Sequence, residues 1–301
     1  MKGYQINTSL PLEENIRGIQ ASVIEQLGLP DAFRKDPYAA IHETRKTIKR
    51  IRALLKMVRD GTGYGFYLRE NRYFRDLSRG ISLARDYDVL LDTLNFVASK
   101  TRKHAESRAE ELKASIREAR DRELETLSAP GGCFEKIPDA FDRALKRMDS
   151  FLQHSGPIVS VKRGLRRTYR KGRRLLDPVR KTSDMHHTHE FRKSCRYLQF
   201  QMELLVPLYP ALLKGYAGSI DSLTTKLGNI HDLQKLNVYL FEQGYSTSVT
   251  EPDSPLIHTI QKQTRRSYSD VFALAPLVYA EKPGRFADRM QHYWNTTFYP
   301  N

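Results

Sequence analysis

A short charged motif occurs twice in this 301-residue chain, and the spacing of its copies constrains the fold. The stretch His42-Glu-Thr-Arg-Lys-Thr-Ile-Lys49 recurs as His189-Glu-Phe-Arg-Lys-Ser-Cys-Arg196, an offset of 147 positions. A second pair of similar segments begins at Leu77 and at Leu223, an offset of 146. Two matches in the same order at nearly one offset indicate an internal duplication.

The duplication predicts one domain, 1–301, with a first repeat at 10–153 and a second at 157–296. Apolar residues recur at helical spacing almost throughout, and no convincing run of alternating strand residues is present. We therefore predict an all-α fold in which each repeat supplies several helices. A break is expected near 95–100, because 86–127 is too long for one ordinary helix. The predicted helices are 12–27, 37–59, 65–80, 86–127, 136–153, 157–175, 184–206, 209–228, 232–243, 254–272 and 285–296.

The first motif opens an amphipathic helix over 41–59 whose polar face carries one sign of charge. Like charges at i,i+4 spacing repel each other, so such a face indicates an anionic partner. From His42 to Lys56 it extends about 21 Å, a length that suits an extended anion. Its members are His42, Arg45, Lys46, Lys49, Arg52, Lys56 and Arg59.

Three further basic stripes follow the same logic. The second motif contributes His189, Arg192, Lys193 and Arg196, and a denser stripe contributes Lys162, Arg163, Arg166, Arg167, Arg170, Lys171, Arg173 and Arg174. A sparser stripe comprises Arg69, Arg72, Arg75 and Arg79. Arginine forks hold phosphate oxygens bidentately and lysine adds point charge, so the mixture suits phosphate. A solvated cationic face remains the alternative, most of all for the sparser stripe.

Composition narrows the class of partner. The formal net charge is +15 and the sequence pI is near 9.7, which favours nucleic acid, an anionic membrane surface or polymeric phosphate. Cys133 and Cys195 form no disulfide framework, so we expect reduced thiols in a cytoplasmic protein. The N-terminus lacks the apolar region of a signal peptide, and the longest apolar run, Val271–Ala280, is about half a membrane span.

The duplicated His-x-x-Arg-Lys-x-x-Lys/Arg helix, followed by Arg85-Asp86 or His231-Asp232, resembles the CHAD family (conserved histidine α-helical domain) over roughly 10–280. The resemblance implies two pseudo-symmetric helical bundles with a basic channel between them, and it implies binding of inorganic polyphosphate. One departure matters. Gln199 and Glu203 stand where the first repeat has Arg52 and Lys56, so the two halves cannot contribute equally to a shared site.

Together the stripes and the resemblance define a candidate polyphosphate site. Its residues are His42, Arg45, Lys46, Lys49, Arg52, Lys56, Arg75, Arg79, Arg163, Arg166, Arg167, Arg170, Arg173, Arg174, His189, Arg192, Lys193, Arg196 and Lys226. Both histidines are candidate hydrogen-bond donors to phosphate, which protonation would strengthen. Asp86 and Asp232 are placed at matching turns, where they could cap a helix or orient a basic side chain.

We predict non-catalytic binding of polyphosphate, without a cofactor or a metal, in a cytoplasmic protein that could gather at polyphosphate granules. Nucleic-acid binding is the main alternative, although the first stripe lacks the aromatic platforms that base recognition uses. A phosphate-cleaving or phosphotransfer enzyme is less favoured, because no P-loop or other enzyme signature is present. His186 and His189 could share a metal, but no third ligand at helical spacing is evident.

Overall fold

The structure is a computed structural model that describes residues 4–11, 14–15, 17–19, 31–101, 106–154, 161–245 and 254–299. In these residues the secondary structure is helical throughout, and no strand is present. The helices are α1 (Asp31–Lys35), α2 (Pro37–Thr62), α3 (Tyr64–Gly80), α4 (Ser82–Ser99), α5 (Glu106–Ser128), α6 (Cys133–His154), α7 (Lys162–Thr182), α8 (Met185–Leu205), α9 (Pro210–Glu242), α10 (Pro255–Val278) and α11 (Pro283–Phe298). A 3-10 turn, Val206–Leu208, joins α8 to α9.

Local capping chemistry sets the start of both motif helices. Asp36 accepts a hydrogen bond from the Ala39 amide at 3.0 Å and precedes the proline that begins α2. Asp184 caps α8 in the same way, because its side chain accepts a hydrogen bond from the amide of His187 at 2.8 Å. The break expected near 95–100 is confirmed, because α4 ends at Ser99 and a separate helix, α5, follows. The predicted helix 12–27 lies largely outside the described residues.

The helix α9 corrects the sequence prediction. Two helices, 209–228 and 232–243, were expected, but Pro210–Glu242 is one continuous helix. Gly228 is buried inside it, and α9 packs against both α8 and α10. This packing outweighs the roughly 1 kcal/mol by which glycine disfavours a helix interior. The correction moves Asp232 from a turn to the middle of a helix, and Asp86 likewise lies within α4, so neither residue is a helix N-cap.

The two motif helices pack against each other in the main core. Ile48 and Leu54 of α2, Leu198 of α8 and Leu165 of α7 are fully buried in one apolar cluster. A second apolar cluster joins α4 and α5 to α9 and α10 through side chains such as Leu94 and Leu236. Together these contacts place the four helices that carry the repeated segments, α2, α4, α8 and α9, side by side.

A glycine allows α7 to approach α2 closely. A Cβ placed on Gly164 would lie 1.9 Å from the backbone oxygen of Met57. We expect Gly164→Ala to destabilise the protein by about 2–3 kcal/mol, since overpacking a rigid contact typically costs this much. Urea denaturation monitored by circular dichroism measures the change.

The matched control is Gly218→Ala in α9, where an added Cβ meets nothing within 4 Å. There the substitution should leave stability unchanged or raise it, because alanine is the better helix former. Similar effects of the two substitutions would show that the α2–α7 contact is not tight.

Candidate anion-binding site

Basic side chains from four helices converge where the two halves of the chain meet. We call this set the central basic cluster. Its members are His42, Arg45 and Lys49 of α2, Arg85 of α4, His189, Arg192 and Arg196 of α8, and His231 and Lys235 of α9. Lys49 shows the convergence most clearly, because guanidinium groups from α2, α4 and α8 all act on it.

The environment of Lys49 disfavours the charged form of its side chain. Solvent reaches this side chain, yet the surrounding protein displaces enough water to lower its pKa to about 7. The positive charges of Arg45, Arg192, Arg196 and Arg85 lower the pKa further. Partial desolvation together with four like charges is unfavourable for a lone protein, and a bound anion would relieve it.

Acidic side chains pair with only part of this cluster: Arg85 pairs with Asp88 and Lys235 with Asp86. In the described part of the chain, Arg45, Lys49, Arg192 and Arg196 form no ion pair with a carboxylate. The Nε atom of Arg192 is buried without a hydrogen-bond partner among the described residues. Unpaired guanidinium groups of this kind can donate to phosphate oxygens in a bidentate manner.

The three histidines of the cluster all have lowered pKa values. Burial, followed by the charge of Arg192, lowers the pKa of His231 to about 3. Its ring centroid lies 5.3 Å from that of His189, whose pKa is lowered by burial and by Lys193. Burial and Arg85 lower the pKa of His42. A nearby anion would favour protonation of all three rings.

Asp86 and Asp232 lie among these cations and act on them. The carboxylate of Asp86 forms a 3.0 Å ion pair with Lys235, which links α4 to α9. Its charge also opposes the fall in the pKa of Arg45, as the charge of Asp232 does for Arg192. Both carboxylates therefore lie near the cations of the cluster, at helical positions instead of the expected turns.

The cationic face of α2 continues beyond the central basic cluster. Arg52 donates to Asn71 of α3 at 2.9 Å, and Lys56 lies 4.5 Å from the ring centroid of Tyr197. Burial lowers the pKa of Lys56 to about 8, with further contributions from Lys171 and Arg59. This end of the face therefore meets α7.

The departure at Gln199 and Glu203 has a structural reason. Arg196 donates to the side-chain oxygen of Gln199 at 2.8 Å, and Gln199 donates to Glu203 at 3.0 Å. Glu203 forms a 3.6 Å ion pair with Arg50, whose side chain is 5% exposed. These polar residues connect α8 to α2 behind the cluster, so they are not available to an anion at its surface.

The structure places some of the remaining candidate residues beside the central basic cluster and others away from it. Lys46 and Lys193 lie beside the cluster but pair with Glu43 and Glu190. Arg75 and Arg79 both pair with Asp76 on α3, and no described contact joins them to the central basic cluster. Lys226 pairs with Asp270 in the wall of a cavity of about 670 Å³, to which Arg85 and Asp232 also contribute.

The basic stripe on α7 also divides. Arg167 pairs with Asp60 at 2.7 Å and Lys171 pairs with Glu190 at 2.8 Å, which places both on the side facing α2 and α8. Arg173 donates to the backbone of Tyr279 on the other side. Four exposed arginines, Arg163, Arg166, Arg170 and Arg174, have no hydrogen bond or ion pair to another described residue.

Sequence reasoning missed Arg85, His231 and Lys235. The first two directly precede the aspartates that were selected, so the repeated Arg-Asp and His-Asp pairs already contained the signal. The predicted break before 232 placed Lys235 in a separate helix, 232–243, that does not include His231. The position of both residues on one helix face was therefore not recognised. Once α9 is continuous, Lys235 lies one turn beyond His231 on the same face.

No metal-binding arrangement emerges from the described residues. Within them, no three His, Cys, Asp or Glu side chains are grouped so as to hold a metal ion. His186 contacts the ring of His187, whereas His189 contacts His231. None of the described helices has the length and apolar character needed to cross a membrane.

Comparisons with known proteins identify the family and the fold. A family model, described as the CHAD domain, matches residues 20–237, a span that includes both copies of the motif and the His231-Asp232 pair. The chain is a member of the CHAD family. No curated protein sequence matches it significantly.

Two solved structures share the CHAD fold with this chain. The CHAD domain from the plant Ricinus communis is 16% identical, with a TM-score of 0.59 and coverage of 98% of this chain and 95% of that one. PptA from Streptomyces chartreusis is 14% identical, with a TM-score of 0.57 and coverage of 93% and 100%. At these identities the likeness establishes the fold alone.

Proposed function

We propose that the chain binds inorganic polyphosphate in a basic channel between two helical halves, without catalysis. The observation that carries this proposal is Lys49, which is reached by solvent and surrounded by four arginines from three helices. Phosphate oxygens are the natural partners of such a set, since guanidinium forks and ammonium groups complement them. Membership of the CHAD family supports the same ligand.

The order of the helices supports the proposed duplication. The helices α2 and α8, α3 and α9, α5 and α10, and α6 and α11 begin about 146 to 150 positions apart. In this comparison α3 and α4 together correspond to the single helix α9. The two halves of the proposed channel then contribute α2 with α4 and α8 with α9. The expected junction, around 154–157, lies outside the described residues except for residue 154.

Single-stranded nucleic acid is the second candidate, and one observation favours it. Tyr64 is 59% exposed and stacks on Tyr67 beside Arg59, an arrangement that could hold a base. This aromatic pair lies at the end of the α2 face. The central basic cluster itself contains no aromatic side chain other than histidine, and a chain of bare phosphates needs none.

Titration with polyphosphate at physiological ionic strength tests the proposal. Polyglutamate of equal total charge is the control. A carboxylate presents two coplanar oxygens, whereas each phosphate presents oxygens arranged tetrahedrally around phosphorus, which several guanidinium groups can contact from different sides. We expect tight binding of polyphosphate and much weaker binding of polyglutamate. Equal affinities would show that the protein responds to bulk charge, and absence of polyphosphate binding would contradict the proposal.

Incubation with polyphosphate, triphosphate or ATP should release no phosphate above background, with Mg²⁺ or Mn²⁺ present. The reason is that metal-assisted phosphoryl transfer needs side chains that hold the metal, and within the described residues no three His, Cys, Asp or Glu side chains are grouped to do so. A colorimetric phosphate assay measures the outcome. Turnover that disappears in His42→Ala would contradict a purely binding function.

We further propose that the protein resides in the cytoplasm and gathers where polyphosphate accumulates. Colocalisation of a fluorescent fusion with stained granules tests this, and a diffuse signal in granule-containing cells would count against it.

A further inference from the structure

The outer face of α7 carries four exposed arginines that no other described residue neutralises, although Lys162, Arg167 and Lys171 on the same helix pair with carboxylates. From Lys162 to Arg174 the helix contains eight cations and no acid, and the first acid is Asp177. By contrast, the arginines of α3 alternate with acids: Arg69 pairs with Glu70, and Arg75 and Arg79 pair with Asp76. The two basic stripes look alike in sequence, but among the described residues only Arg72 of the α3 stripe lacks a hydrogen bond or ion pair, whereas four arginines of α7 do.

Helical geometry places these cations in one continuous band. At 100° per residue, Arg167 and Lys171 lie at one border of the band, and Arg170 and Arg174 lie about 60° further round. Arg166 and Arg173 continue the band toward the C-terminal end of α10, where Arg173 donates to the backbone oxygen of Tyr279. The band therefore crosses about half of the helix circumference without interruption.

Lys171 joins this band to the face of α2. Its charge contributes to the lowered pKa of Lys56, so the two ammonium groups are close enough to repel each other. Lys171 and Lys193 also share the carboxylate of Glu190, at 2.8 and 2.6 Å. A cationic path thus runs from the central basic cluster past Lys56 to α7.

We propose that a long polyphosphate chain leaves the central basic cluster beside Lys56 and continues across the outer face of α7, which makes this face a determinant of chain length. The inference rests on the proposed function and extends it. A short chain fills the stretch from His42 to Lys56, about 21 Å. A longer chain gains additional contacts with Arg170 and Arg174.

The test compares chain lengths on matched variants. The first variant is Arg170→Glu with Arg174→Glu, both at exposed positions without a partner among the described residues. The control is Arg117→Glu with Arg122→Glu on α5, which changes net charge equally at exposed positions far from the band in sequence. Affinity is measured for a polyphosphate that spans about 21 Å and for one several times longer.

We expect the α7 variant to lose about tenfold or more in affinity for the long chain and less than about twofold for the short one. The control should lose little for either. Equal losses on both lengths, or no loss on the long chain, would overturn the inference. A wild-type protein that binds neither length would instead refute the proposed function, and long-chain binding that depends on α7 without any short-chain binding would make α7 the site and not its extension.

Discussion

Reversal of charge at Lys49 and Lys56 together is expected to weaken polyphosphate binding by at least about 100-fold. Both side chains lie on the α2 face, one within the central basic cluster and one where the face meets α7. A hydrogen bond to a charged group contributes about 1.5–3 kcal/mol, so the loss of two amounts to a factor of 100 or more. The new carboxylates would additionally repel the phosphates. Calorimetric or fluorescence titration of Lys49→Glu with Lys56→Glu measures the effect.

The control variant on α5, Arg117→Glu with Arg122→Glu, carries the same change in net charge. It is preferable to a variant at Lys113, because the side chain of Lys113 is 12% exposed whereas that of Arg122 is 70% exposed. We expect a loss of less than about threefold, because exposed charges far from the site act weakly through screened solvent. If both double variants lost affinity equally, the protein would have no defined site.

Polyphosphate affinity is expected to fall about tenfold or more from about pH 6.5 to about pH 8.5. In the free protein, burial and neighbouring cations lower the pKa of Lys49 to about 7 and that of Lys56 to about 8. A bound polyanion favours the charged ammonium groups and therefore raises both pKa values. Binding then takes up protons at any pH between the free and bound values, so affinity decreases as pH rises through that interval.

The histidines also make polyphosphate affinity decrease as pH rises, but in a lower pH range. Their pKa values are depressed in the free protein, so an anion that raises them adds proton uptake below neutrality. Calorimetry in buffers of different ionisation enthalpy counts the protons directly.

Substitution by arginine tests how much of the pH dependence of binding comes from Lys49 and Lys56. Lys49→Arg with Lys56→Arg keeps both positive charges but removes their titration, because guanidinium stays protonated throughout this range. We expect this variant to bind polyphosphate with a flatter pH dependence above about pH 7. An unchanged slope would mean that Lys49 and Lys56 do not carry the proton uptake.

The sequence identified most of the helices because apolar periodicity reports directly which residues are buried. It located the break between α4 and α5 from length alone. It failed at α9, where the Gly228-Asn229 pair looks like a helix end, since the packing that holds this segment helical comes from α8 and α10, distant in the chain. Local signals cannot report such contacts.

The candidate site likewise contains residues that local sequence patterns revealed and residues that only the packing of helices brought together. One-sided charge on a helix revealed His42, Arg45 and Lys49, since a single element carries all of them. Arg85 is the one Lys or Arg residue of α4, and Lys235 is one of three widely spaced lysines of α9. Both become part of the cluster only where α4 and α9 pack beside α2 and α8. In the opposite sense, Arg75 and Arg79 resemble the other stripes in sequence, but their nearest partner is Asp76.

Competition between long polyphosphate and single-stranded RNA of equal total charge tests the central claim most directly. Labelled RNA is bound first at physiological ionic strength, and unlabelled polyphosphate is then added while anisotropy is recorded. A central basic cluster without base-stacking rings predicts that polyphosphate displaces the RNA well below charge equivalence, and that Lys49→Glu with Lys56→Glu abolishes this preference. RNA that binds as tightly as polyphosphate, or more tightly, would contradict the assignment and would favour the Tyr64 and Tyr67 platform as the functional surface.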